Sequence, residues 1–159
     1  MPAPQVRRSR RRDGDRVVNT PADRAMHANA HAGQLIRGAT YFPVADVEHA
    51  VAYYARVLGF RREYAAGSPL QFAIMTRDAV TIMLRRVADG TRLVPNEAQG
   101  GTWDVFCWVR DVRALHAELV ANGAEVAYGP IVQDAYGMEE FAVRDPNGYV
   151  LGFGQPVSG

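Results

Sequence analysis

Residues 136–153 read YGMEEFAVRDPNGYVLGF. Met138 to Arg144 alternates in the manner of a strand. Asp145-Pro146-Asn147-Gly148 follows with the composition of a tight turn: Pro146 presets φ, and Asn147 and Gly148 tolerate positive φ. Tyr149 to Phe153 returns as a second strand, with Tyr149, Leu151 and Phe153 on one face and Val150 and Gly152 on the other. A hairpin alone says little about function.

A weaker copy of this hairpin lies upstream, in QFAIMTRDAVTIML, Gln71 to Leu84. At an offset of 69 residues, Phe72-Ala73-Ile74 falls on Phe141-Ala142-Val143 and Asp78-Ala79 on Asn147-Gly148, with Ile82 on Leu151 and Leu84 on Phe153. A second match precedes each hairpin: Val44-Ala45-Asp46-Val47 and Val109-Arg110-Asp111-Val112 lie 65 residues apart. Two matches in the same order imply a duplicated half-domain, because the spacing exceeds that of solenoid repeats.

Each half reads strand–helix–strand–strand–strand. In the first, Ala39–Val44 is a strand, and Asp46 caps a helix running to about Leu58 with Val47, Val51 and Tyr54 inward and Gly59 as its stop. Strands are expected at Phe60–Tyr64, Gln71–Arg77 and Ala79–Arg86, followed by a loop from Val87 to Gly101. In the second half, Thr102–Val109 is a strand. Asp111 caps a helix with Val112, Leu115 and Leu119 inward, ending at Gly123, and Glu125–Tyr128 is the next strand. Gly129 to Gly137 is read as a connection that folds over a site. The period of two assigns faces. Val105, Cys107 and Val109 face the helices; Asp104, Phe106 and Trp108 face away. Trp103 is expected toward the helices or the strand end. Likewise Thr40, Phe42 and Val44 oppose Ala39, Tyr41 and Pro43, and Val80, Ile82 and Leu84 oppose Thr81, Met83 and Arg85. The second set mixes aromatics, Met, Gly and polar groups. It suits the wall of a small-molecule site or a surface buried by a second chain or the other half.

The chain has 159 residues, 48% of them hydrophobic, which suits one domain with a real core. Residues 1–35 carry seven Arg and three Asp, and the remainder eleven Arg and fourteen acids, so the tail is basic and the rest mildly acidic. That balance gives no support for a nucleic-acid surface on the fold. The tail, polar and aperiodic, is expected to be disordered. Its RRSRRR run, Arg7 to Arg12, reads as a solvated segment or as a contact for nucleic acid or anionic lipid, and translation starting at Met26 would remove it. His27 and His31 have the spacing of a metal pair if helical. A single Cys excludes an internal disulfide and fits a reducing compartment. No apolar run suggests a membrane span or a signal peptide. The expected location is cytoplasmic.

Paired strand–helix–three-strand modules, the Val-x-Asp helix starts and the DPNGY turn resemble the vicinal oxygen chelate superfamily. That superfamily includes glyoxalase I, extradiol dioxygenases and bleomycin-resistance proteins. VRDVRALHAELVANGAEV and YGMEEFAVRDPNGYVLGFGQ are most similar to its bleomycin-resistance and glyoxalase-like branch. The resemblance covers about residues 38–155. It implies an α+β fold of two βαβββ modules, 38–87 and 102–155, with curved sheets around a cleft, in a domain spanning 36–159. Metal-using members place His or Glu on the concave face of the first and last strands of each module. Counting back from Asp46 and Asp111, the first-strand positions here are Ala39 and Asp104, 65 apart, and the last-strand positions are Met83 and Gly152, 69 apart. One carboxylate there, with Glu140 as a second acid, is a poor donor set for a divalent metal. The four His lie in the tail (two of them) and on the helices (His49, His116). No metal, cofactor or catalytic residue is therefore expected. The expected lining of the cleft is Tyr41, Met83, Asp104, Phe106, Trp108, Tyr136 and Glu140, suited to a planar or cationic drug or metabolite. Each has a structural alternative: Phe106 and Trp108 as interface core, Asp104 paired with Arg85, Glu140 solvated, Met83 as gap-filling core. Cys107 is read as core and not as a nucleophile. The resemblance also implies a two-fold homodimer. The competing expectation is a metal-dependent lyase, isomerase or dioxygenase, or acid–base chemistry by Asp104 and Glu140.

Overall fold

The computed structural model describes residues 33–157. Residues 1–32, with the RRSRRR run and the His27/His31 pair, lie outside the described residues.

The first module runs β1 (Thr40–Val44), α1 (Val47–Arg56), β2 (Arg61–Ala66), β3 (Phe72–Arg77) and β4 (Val80–Arg86). A single 3₁₀ turn, Asn96–Gln99, interrupts the linking loop. The second module runs β5 (Val105–Trp108), α2 (Val112–Ala121), β6 (Glu125–Gln133), β7 (Met138–Arg144) and β8 (Val150–Pro156). Two four-stranded sheets result, in the orders β1-β4-β3-β2 and β5-β8-β7-β6. In each, the first strand pairs parallel to the last, and the other pairings are antiparallel. Among the described residues no helix is long and apolar enough to cross a membrane.

Both helices start where an Asp can accept an orphan backbone N–H. Asp46 Oδ1 accepts from His49 N, and Asp111 Oδ1 from Ala114 N, each at 2.9 Å. Val47, Ala50 and Tyr54 then bury one face of α1, and Val112 and Leu119 one face of α2. The helix-facing sides of both sheets join these in one continuous core that includes Phe42, Leu84, Cys107, Phe141 and Leu151.

Three sequence expectations change. β6 does not stop at Tyr128 but continues to Gln133, with register shifts on either side of Tyr128. It is an edge strand, so Gly129-Pro130 is absorbed as a bulge where Pro need not donate to a ladder. Only a short turn, Asp134 to Gly137, remains of the expected connection. Second, the hairpins do not superpose at one offset. Ala73 opposes Leu84, whereas it is Phe141 that opposes Phe153. The first strands thus match at 68 residues and the second strands at 69, because the loop at 146–148 is one residue longer than Asp78-Ala79. A one-residue slip exchanges the two faces of a strand, so the sequence match of Phe72 to Phe141 put Phe72 on the wrong side. Third, boundaries move: α1 ends at Arg56, β5 is shorter than Thr102–Val109, and β8 extends to Pro156.

Candidate functional site: an aromatic sheet face with a buried carboxylate

Away from the helices, the second sheet presents an aromatic surface laid over glycine. Gly152 and Gly154 occupy alternate positions of β8 on this face, opposite Ala142 and Glu140. A Cβ at Gly152 would lie 2.6 Å from Trp103 Cδ1, 2.7 Å from its Nε1 and 2.8 Å from Phe106 Cδ2. At Gly154 it would lie 2.6 Å from Phe106 Cζ and 3.0 Å from Met138 Cε. Only glycine lets the two rings rest on the backbone. Trp103 and Phe106 have ring centroids 4.6 Å apart, and Phe106 meets Trp108 edge-on at 5.3 Å. Trp108 is 74% exposed, which is exceptional for its size and leaves most of the ring free.

Glu140 sits beneath this surface on β7 and is 1% exposed. One carboxylate oxygen, Oε1, accepts from Tyr128 Oη at 3.0 Å, Tyr136 Oη at 3.0 Å and Gln133 Nε2 at 3.2 Å. Tyr128 in turn accepts from Trp103 Nε1 at 2.6 Å. A chain of donors therefore runs from the indole through a phenol to the carboxylate. The other oxygen, Oε2, is buried with no hydrogen-bond partner, a costly condition for a polar atom. Burial first, then the bond and charge of Glu140, raises the pKa of both Tyr128 and Tyr136, although for Tyr128 the bond from Trp103 pulls the other way. Both phenols thus stay protonated as donors at neutral pH.

The structure divides the sequence-predicted lining. Phe106, Trp108, Tyr136 and Glu140 come together on the second sheet. Tyr41 and Met83 are neighbours across β1 and β4 on the first sheet, and Tyr41 is 54% exposed. Between the sheets runs a shallow groove of about 460 Å³, bounded by Ala39 and Thr81 on one side and Phe106 and Trp108 on the other. Asp104 stands apart. Its Oδ1 accepts from Asn96 N at 2.8 Å and its Oδ2 from Val150 N at 2.7 Å. It clamps the linking loop to β8, and the alternative pairing with Arg85 is not made. Glu140 is buried and not solvated. Cys107 lies in the core, and burial pushes its thiol up to about 11. Trp103 was expected toward the helices or the strand end and instead lies on the open aromatic face. Sequence reasoning also missed Tyr128 and Gln133, hidden by the bulge that looked like a loop. The available signal was Gly-x-Gly inside a strand, which calls for bulky neighbours from an adjacent strand.

The strand pairing sets Tyr41 beside Met83 and Phe106 beside Gly152 as the equivalent rows of the two sheets. Of the four expected ligand positions, Ala39 and Gly152 offer no donor, Met83 offers a thioether, and both oxygens of Asp104 are taken by backbone N–H. Among the described residues no three His, Cys, Asp or Glu converge in a way that would hold an ion. This donor set does not fit a divalent metal.

The profile of the Glyoxalase/Bleomycin resistance protein/Dioxygenase superfamily matches residues 31–153. Among functionally curated proteins no sequence matches this chain. Many solved structures share the fold, among them the following three. TioX from Micromonospora sp. ML1 is 22% identical with a TM-score of 0.61, covering 76% of this chain and 98% of its own. TnmS3, an antibiotic binding protein from Streptomyces sp. CB03234, is 25% identical with a TM-score of 0.55, covering 76% and 97%. A glyoxalase/bleomycin resistance protein/dioxygenase from Nocardioides is 14% identical with a TM-score of 0.59, covering 87% and 94%.

Proposed function

Because the chain belongs to the Glyoxalase/Bleomycin resistance protein/Dioxygenase superfamily, we propose that it binds a small organic molecule, a drug or metabolite, on its aromatic sheet face and sequesters it without a metal. The observation that carries this reading is the open Trp103–Phe106–Trp108 surface above the buried carboxylate of Glu140. Aromatic faces stack on planar rings, and a cation over a Trp beside a carboxylate is favoured by both groups. A planar ligand carrying positive charge suits this surface best. TnmS3, an antibiotic binding protein, is a solved relative whose role agrees with this reading. Tyr41 and Met83 form a neighbouring pair on the first sheet, outside the groove itself, whose opposite wall is Ala39 and Thr81, while Asp104 acts by holding the loop in place. The exposed rings of Tyr41, Tyr136 and Trp108 also suit an isologous homodimer that closes the site.

The test is titration of the purified full-length protein with ethidium, a planar cation, and with anthracene-9-methanol, a planar neutral ring. The two Trp residues report binding by quenching. Trp108→Ala is expected to weaken ethidium roughly 3- to 30-fold, the span of a cation–aromatic contact. Glu140→Gln should weaken ethidium more than the neutral ring. Equal affinities in wild type and both variants would remove this reading. Metal analysis on the same preparation separates the competing enzyme reading, which requires a stoichiometric transition metal.

A further inference from the structure

The two modules meet at two junctions that the internal repeat makes equivalent, and only one of them is filled. At the first, Phe42 of β1 stacks on Tyr149 at 4.3 Å with 5° between the ring planes. Tyr54 of α1, fully buried, belongs to the same core cluster. The hydroxyls reach acceptors: Tyr149 Oη donates to Pro43 O at 2.7 Å, and Tyr54 Oη to Asp145 Oδ2 at 3.2 Å.

Strand pairing and helix caps identify the counterparts at the second junction. Phe42 opposes Leu84 as Cys107 opposes Phe153. Tyr54 lies eight residues past cap Asp46, as Leu119 does past cap Asp111. Tyr149 precedes β8 where Val80 opens β4, and Asp145 corresponds to Arg77. Three aromatic rings are thus replaced by Cys107, Leu119 and Val80. Where the rings are missing there is a cleft of about 680 Å³, walled by these three residues with Leu58, Phe60 and Leu151. It opens on the helix-facing side of β5 and β8, with Trp103 and Glu140 on the other face, and it shares Val80, Cys107 and Trp108 with the groove between the sheets.

We propose that this cleft is a second binding site, for a small neutral aromatic molecule of the phenol class. Its size lies within the range of small-ligand sites, and its walls are mainly apolar. The filled junction shows what this geometry accommodates, namely flat rings with a hydroxyl at one end. The rim argues against an ionic ligand. Glu118 is held by Arg77 at 2.9 Å, Arg77 also donates to Leu58 O at 2.6 Å, and Asp111 caps α2. The remaining rim charges, Arg110 and Asp78, are of opposite sign and exposed. The Cys107 thiol, pushed up to about 11 by burial, offers a neutral wall, so binding is reversible and not covalent.

The test uses the full chain and two probes. p-Cresol, the detached side chain of tyrosine, is titrated while the methyl NMR signals of Val80, Leu119 and Leu151 are followed. 4-Bromophenol is soaked into crystals, where bromine's anomalous signal locates it. The expected results are saturable shifts of those methyls at roughly millimolar p-cresol, fitting so small a ligand, and bromine against Leu119 and Leu151, which line the cleft and not the groove. Val80→Tyr should restore the missing ring, raise the melting temperature and weaken p-cresol at least tenfold. Cys107→Phe serves as an independent filling variant if Val80→Tyr does not fold. Bromine found only on the open aromatic face, or p-cresol shifts of the cleft methyls unchanged in a folded filling variant, would overturn the proposal.

Discussion

Replacing Gly152 by Ala adds one methyl group at the most crowded point of the candidate site. Its Cβ would stand 2.6, 2.7 and 2.8 Å from three ring atoms, two of Trp103 and one of Phe106, all below the separation at which carbon atoms meet without repulsion. Neither ring has an easy retreat. Trp103 is tied through Nε1 to Tyr128 Oη at 2.6 Å and through its carbonyl to Asn96 Nδ2 at 2.8 Å. Phe106 is wedged between Trp103 and Trp108 and over Gly154. Overpacking of this kind costs about 1–3 kcal/mol. If Trp103 moves, the indole–phenol bond adds about 1 kcal/mol, for a total of about 2–4 kcal/mol. Urea denaturation of wild type and Gly152→Ala measures this directly, and Trp emission reports whether the indole has shifted. The mechanism predicts coupling: in a Trp103→Ala background most of the penalty should vanish, because the closest atoms are gone. A Gly152→Ala protein within about 0.5 kcal/mol of wild type, or a penalty unchanged without Trp103, would refute the claim that glycine is there to let rings lie on the sheet.

Other expectations follow from the same contacts. Asp104→Ala should cost about 2–3 kcal/mol by chemical denaturation, since two backbone donors lose a charged acceptor; ethidium affinity should hold in the surviving folded protein, and the reverse outcome would return Asp104 to ligand binding. Tyr54→Phe should cost about 1–2 kcal/mol at pH 7, measured by denaturation, because the Asp145 carboxylate loses one of its donors. Burial holds the Asp145 carboxyl above its usual range even with these donors, so the fold keeps that proton to higher pH than the unfolded chain. Its contribution is full below the unfolded pKa and declines as pH rises through the folded value, so the Tyr54→Phe penalty should shrink toward pH 4. With its thiol near 11 against an ordinary 9.0, Cys107 should react with iodoacetamide about 100-fold more slowly than a free thiol at pH 8, from ionisation alone; reaction at the free-thiol rate would place it outside the core.

The duplicated plan, both helix caps and the helix-facing strand residues were legible because each rests on a local rule. Asp46 and Asp111 stand where a cap must stand, and Phe42, Leu84, Cys107 and Leu151 follow a period of two without interruption. The site was less legible because its organising contacts are non-local. Trp103 reaches its position only because Gly152 and Gly154, some fifty residues later, remove the side chains that would exclude it. Tyr128 and Gln133 share Glu140 only because a bulge carries β6 past Gly129-Pro130. Asp104 lay on the expected strand, but its acceptors were claimed by Asn96 and Val150, and neither bond leaves a trace in residue spacing. The one-residue slip between the hairpins has the same origin. FAI and FAV match by letter, yet the longer second loop shifts the register that decides which face Phe141 takes.

Duplication also explains why the two faces of one sheet have diverged separately. A repeated module begins with equal junctions and equal sheet faces, so any difference now present marks where the two copies stopped doing the same job. At the helix-facing junctions, the copy with Phe42, Tyr54 and Tyr149 builds core and holds the DPNG turn against α1, while the copy with Cys107, Leu119 and Val80 leaves a cleft. On the open faces the asymmetry runs the other way: β8 carries glycines under clustered rings, while β4 carries Met83 and Arg85 at the matching positions. Aromatic volume removed from one side of the second module is matched by aromatic surface gathered on the other. Stability is expected to reside mainly in the filled junction, and the proposed binding in the second module's two faces. Substitutions at Phe42 or Tyr149 should therefore unfold the chain, whereas substitutions at Trp108 or Val80 should change what it binds while leaving it folded.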